Sequence, residues 1–124
     1  MSNLLLARAF KAEAAIPAFS IVKPGSVDGN VLVSAAVSDK LIGVTTDIAA
    51  AANDRCDVLL AGVADVLYGG AVTRGDPLTA DASGRAVTAA PAAGTNNRII
   101  GIAVISGVLG DVGQMILSPS MLQG

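Results

Sequence analysis

Two short stretches, Lys40-Leu-Ile-Gly-Val44 and Arg98-Ile-Ile-Gly-Ile102, decide how this chain is read. They are one phrase written twice, with the second starting 98 − 40 = 58 residues after the first. Downstream, Asp54-Arg-Cys-Asp-Val-Leu-Leu60 is echoed by Asp111-Val-Gly-Gln-Met-Ile-Leu117, at 111 − 54 = 57. Upstream, Gly29-Asn-Val-Leu32 is echoed by Gly75-Asp-Pro-Leu78. Three echoes in the same order imply two copies of one supersecondary unit. The halves are read as residues 20–68 and 71–117, with Gly69-Gly70 as the seam. Gly43 and Gly101 then hold equivalent strand positions, where a glycine signals close approach of another backbone or side chain.

Outward from these phrases the texture is β. Short apolar runs are expected as strands at 19–22, 30–37, 40–45, 56–60 and 63–68, the last two split by Gly62. Pro77-Leu-Thr-Ala80 and Arg85-Ala-Val-Thr88 read as a hairpin turning at Gly84, and 99–105 and 114–117 close the chain. Ile48-Ala-Ala-Ala-Ala52 reads as a helical turn or an alanine loop, and residues 90–97 as a flexible loop. Short strands at regular spacing, punctuated by Gly and Asp turns, point to a small barrel or sandwich.

Residues 1–19 differ. Asn3 is placed to cap a short helix with Leu6, Phe10 and Ala14 on one face, ended by Pro17. The alternative, preferred here, is an extended arm that orders on a partner, because Leu4-Leu-Leu6 and Phe10 are costly to leave in water. Residues 20–124 form the single β domain, which the arm is expected to leave folded when removed.

At 124 residues, the chain is long enough to bury roughly two thirds of its unfolded surface. Aromatics are 2% of it (Phe10, Phe19 and Tyr68), so the core must be aliphatic. A net charge of −2 with no basic cluster argues against a nucleic-acid partner, which needs massed cations and stacking aromatics. The best uncharged run, Ile99 to Gly110, falls short of the ~20 residues a membrane helix needs. The first residues lack the basic region and length of a signal peptide. Cys56 is the one cysteine, expected as a small buried hydrophobe.

Candidate chemistry is sparse. Asp28, Asp76, Asp81 and Asp111 lack the tight alternate spacing of a calcium loop and read as turn-formers. Asp54 and Asp57 flank Arg55 and read as a solvated loop with a local ion pair. Arg74-Gly75-Asp76 is an adhesive tripeptide by letters, and Gly75-Asp76-Pro77 makes a turn by itself. With no histidine, a nucleophile would need a lysine base, and Lys11, Lys23 and Lys40 stand near no obvious partner. No metal or other cofactor is expected, and the chain is read as a non-enzyme.

Phe10-Lys-Ala-Glu-Ala-Ala-Ile-Pro17, Ile21-Val-Lys23, Leu41-Ile-Gly-Val44, Asp57-Val-Leu-Leu60 and the run Arg74 to Arg85 resemble the capsid cement, or head decoration, proteins of tailed bacteriophages. The most telling piece is Gly75-Asp-Pro-Leu-Thr-Ala-Asp81 followed by a basic residue. The resemblance covers about residues 10–117. It implies an all-β fold, a small barrel of β-clip type with an N-terminal arm, on the outside of a phage head. It also implies a homotrimer that binds the major capsid protein, stabilises the shell and is made in the bacterial host cytoplasm. Leu4, Leu5, Leu6, Phe10 and Ile16 are the expected capsid or subunit contacts. The rival reading is a non-catalytic carbohydrate-binding or adhesive β module, for which Tyr68 is the one good aromatic outside the N-terminal region.

Overall fold

The structure, a computed structural model, describes residues 4–124. Nine strands follow one another: β1 (Leu4–Ala12), β2 (Ile21–Pro24), β3 (Asn30–Val33), β4 (Gly43–Thr45), β5 (Arg55–Leu67), β6 (Pro77–Ala80), β7 (Ala86–Thr88), β8 (Asn96–Ala103) and β9 (Val112–Gln123). There is no helix among the described residues. The alanine run at 48–52 is a loop, pinned by a bridge between Ile16 and Ala50.

β5 organises the rest. Cys56, Val58, Ala64 and Val66 are buried and alternate with more exposed neighbours, the period of a strand with one face inward. The sequence suggested two strands broken at Gly62. The chain instead runs on, and Gly62, at φ +104°, marks the point where it changes partners. Up to that point β5 pairs with β1 and β4, and from Val63 to Leu67 it pairs with β9. Neighbours in hydrogen bonding run β1-β3-β2-β4-β5, and β5 pairs back to β1. That is a closed five-stranded barrel. From β5 the sheet continues through β9, β8, β6 and β7, and a parallel bridge from Tyr68 to Ala86 brings β7 back beside the end of β5.

The two halves correspond element by element. The parallel contact of β1 with β3 at Ala12 and Val31 matches that of Tyr68 with Ala86. The bridge Ile16–Ala50 matches Val72–Gly107. Left-handed backbone recurs in step, with Phe19 (φ +56°) answering to Gly75 (+93°) and Asn53 (+70°) to Gly110 (+91°). These matches relocate the seam, which lies inside β5 rather than at Gly69-Gly70. They also pair Gly29 with Gly84 and not with Gly75, so the upstream echo seen in the sequence was out of register. Phe19 explains another difference. Its left-handed backbone stops an extended strand there, and β2 begins at Ile21.

The first barrel is filled by Ala12, Ile16, Val22, Val31, Ala50, Cys56 and Val58. The second core holds Tyr68, Val72, Leu78, Ala86 and Met115 at corresponding places, and adds Ile21, Val44 and Leu59 from the first half. The volumes trade. Where one half has Ala12 against Ala50 and Cys56, the other has Tyr68 against Gly107 and Gly113. A Cβ at either glycine would run into the Tyr68 ring. Close packing requires such compensation, since interiors are filled to crystal-like density.

The expected N-terminal arm is, from Leu4 to Ala12, a strand of the barrel. Ala12 is fully buried, and Ile16 is 1% exposed in the core. The reason is the apolar alternation of Phe10, Ala12 and Ile16, which the barrel needs to fill its interior. Neither helix nor free arm describes 4–16, and Asn3, the expected cap, lies outside the described residues. Deleting residues 2–15 is therefore expected to abolish cooperative thermal unfolding followed by circular dichroism, because it removes the strand that closes the barrel. Gly43 and Gly101 give a second check. A Cβ at Gly43 would strike the carbonyl oxygen of Leu59, and one at Gly101 that of Ile116. Gly43→Val and Gly101→Val are each expected to lower stability by about 1–3 kcal/mol in urea melts, the usual penalty of overpacking.

Candidate functional site

Three of the aspartates singled out in the sequence, Asp76, Asp81 and Asp111, are held by turns. Asp81 Oδ1 accepts from the amides of Ser83 and Arg85, and Oδ2 accepts from Arg85 Nε at 2.9 Å. This explains the Asp-x-x-x-Arg ending of the hairpin: the acid orders the turn and the base covers it. Asp76 accepts from the Thr73 amide and from the Thr88 hydroxyl, each at 3.0 Å, so the Arg74-Gly75-Asp76 carboxylate is tied down. Asp111 accepts from the Val108 amide. Arg55 and Asp57 form an ion pair at 2.9 Å in the open. Lys23, expected to stand alone, pairs with Asp39 at 3.4 Å. Among the described residues no cluster of three His, Cys, Asp or Glu side chains could hold a metal. Cys56 is buried in β5, and burial first, then the Asp57 charge, pushes its thiol pKa up.

Tyr68 is fully buried, its hydroxyl donating to the Ile105 carbonyl at 2.6 Å. Burial raises its pKa. It offers no face for stacking a sugar, so the carbohydrate-binding alternative loses the aromatic on which it stood.

What remains is surface, of two kinds. The first is the outer edge of β1. Ala12 exchanges main-chain bonds with Asn53 and Asp54 on the β5 side, whereas the amides of Lys11 and Glu13 donate the other way, to Gly29 and Val31. Strand alternation therefore turns the N–H and C=O groups of Ala7 and Ala9 away from β5. β3 meets β1 only at Lys11 and Ala12, so among the described residues nothing pairs with Ala7 and Ala9. Beside this edge lies a groove of about 380 Å³, lined by Arg8, Phe10, Ile42 and the β2–β3 turn at 24–30. The Arg8 guanidinium lies 4.8 Å from the centroid of the Phe10 ring, a cation–π contact. The turn is held by Glu13, whose carboxylate accepts from the hydroxyl and the amide of Ser26, both at 2.5 Å, and from Asn30 Nδ2 at 3.3 Å.

The second surface is apolar. On adjacent strands Val63, Ile116, Ile102 and Pro77 stand directly opposite one another, so their side chains share one face. Ile116 is 49% exposed and Ile102 37%. Val104 and Val112, in the same two strands or at their ends, are also exposed, as are Val108 and Leu109 in the loop between.

Of the contacts expected from sequence, Leu6 is 53% exposed and Phe10 is half-buried at the groove. Ile16 belongs to the core and offers no surface. Leu4 and Leu5 lie in β1, and their side chains are outside the described ones. The apolar face of β8 and β9 was missed. Its signal was present in Ile99-Ile-Gly-Ile-Ala-Val104, which is apolar in both phases of a strand although a domain this small cannot cover both.

The hydrogen bonds from the Ser26 side chain and amide hold the Glu13 pKa below the ordinary carboxylate value. Partial burial of Asp39 works against its ionisation, but the amides of Ala35 and Ala36 and the Lys23 ammonium outweigh it, and its pKa is lowered too. A carboxylate whose pKa falls on folding stabilises the fold above its unfolded value, and that help is lost as pH drops through the folded value. Urea midpoints measured from about pH 6 down to about pH 3 should therefore fall, and Glu13→Gln should show a shallower fall.

Comparison with known proteins gives two findings. The family described as phage cement protein matches residues 5–111. Among solved structures, the N base of the head fibre gp8.5 of bacteriophage phi29 is similar. It has 20% sequence identity and a TM-score of 0.70, over 96% of this chain and 98% of that one, a likeness of fold. No curated protein matches.

Proposed function

This chain belongs to the phage cement protein family, and from that premise we propose how it does its work. It is a structural protein of the virion that binds the outside of a phage head and stabilises the capsid. The family implies a non-enzymatic role, and the turn-bound aspartates and buried Tyr68 and Cys56 support reading the chain as having no catalysis at all.

The finer reading is a homotrimer docked on the major capsid protein, with the chain made in the host cytoplasm before it joins the head. The observation that carries it is the pair of unpartnered surfaces on a barrel with no pocket chemistry. The apolar face around Ile102 and Ile116 suits copies of the chain packing together, since it is aliphatic and spread over several strands. The β1 edge, with Leu4, Leu5, Leu6 and Phe10, suits the shell. A cement protein needs only modest contacts per copy, because simultaneous engagement across a lattice multiplies their effect.

Quantitative mass spectrometry of purified virions, normalised to the major shell protein, tests this reading. A ratio near one copy per shell subunit is expected. Absence from the particle, with the chain abundant in the lysate, would overturn it. In solution Ile116→Glu is expected to reduce a three-chain mass in light scattering to that of one chain, with little change in melting temperature.

A further inference from the structure

We infer that the open edge of β1 is a receptor for an extended, acidic segment of the shell subunit, which adds to the barrel as a strand beside Ala7 and Ala9. The inference rests on the capsid-binding reading above and specifies its contact. A sheet edge with unpaired N–H and C=O groups is a template for another strand, and proteins usually blunt or cover it. Here, among the described residues, nothing pairs with it at Ala7 and Ala9, and the irregularities of β1 are confined to Leu4–Ala7. Residues 6–9 are exposed, and β3 occupies the adjoining slot only from Lys11 onward. The Lys11 amide already donates to Gly29. An added strand would thus lie end to end with β3 and finish the slot that β3 leaves half filled.

Side-chain chemistry names the occupant. Phe10 and Ala12 point to the barrel core, so Arg8, two residues earlier on the same strand, lies on that same face above the groove. Arg8 forms no ion pair among the described residues. A strand beside β1 would place one side chain directly opposite Arg8, over the Phe10 and Ile42 floor. A carboxylate there completes the arginine, and an apolar neighbour two residues along enters the groove. A second copy of this chain fits poorly. The antiparallel register that uses both open residues sets Ala7 of each copy against Ala9 of the other and brings the two Arg8 side chains face to face. Like charges directly opposite destabilise a strand pair.

The test is cosedimentation of the purified full chain with heads of the source phage assembled without it. Ala9→Pro removes the outward N–H, leaves the β5 ladder intact and blocks strand addition. Arg8→Glu reverses the charge at an exposed position and keeps the case open if the proline variant does not fold. Both are expected to melt cooperatively and to lose at least about tenfold in affinity for the heads. Deuterium exchange over residues 4–10 should slow on the heads for the wild-type chain. Wild-type binding by both folded variants would overturn this inference and leave the cement reading standing. A wild-type chain that fails to bind heads would overturn that reading and this one with it. A self-associated mass of the isolated chain that falls with Ala9→Pro would also overturn it, by assigning the edge to a second copy.

Discussion

One strand, β5, has to satisfy two circles of hydrogen bonds, and the rest of the fold follows from how it does so. Its first part is sealed by β1 on one side and β4 on the other, and its last part carries β9. A strand cannot serve two sheets that diverge unless its backbone turns between them. Gly62, with φ in a region that other residues avoid, provides that turn. The cost is that the halves are not independent. Leu59, Val44 and Ile21 from the first half sit in the core of the second, so the wall of the first barrel is also part of its neighbour's interior.

Duplication of a unit does not duplicate its packing. The halves share bridges, left-handed positions and strand order, yet the largest core side chain, Tyr68, has no counterpart of its size. Ala12 holds its place in the first barrel, and the glycines at 107 and 113 open the space that Ala50 and Cys56 fill there. The tyrosine is kept in a dry core by giving its hydroxyl to a carbonyl, which removes the penalty of an unpaired polar group.

The same geometry suits the structural role of the family. Asp76, Asp81 and Asp111 accept from the amides of tight turns, and the cysteine and tyrosine are inside. What the fold also leaves outside is a main-chain edge and an aliphatic face, surfaces of the kind that other protein covers. This is the equipment of a protein that holds a shell together by contact.

The sequence by itself determined the class. The period of two in its apolar runs, the Gly and Asp turns, and the near absence of aromatics made an all-β barrel of aliphatic core, and the echoes around Gly43 and Gly101 located the two close crossings of backbone. The hairpin at 77–88 was legible because its turn chemistry is local. Three things were decided only in three dimensions. Residues 4–16 closed the barrel instead of leaving it, because an apolar alternation does not say whether its partner is the same chain or another. Gly62 bent a strand rather than ending it, since glycine permits both and long-range pairing selects one. The exposed face of β8 and β9 and the open edge beside Ala7 and Ala9 exist only once every strand has chosen its neighbours, and pairing between residues far apart in the chain is what a local pattern does not contain.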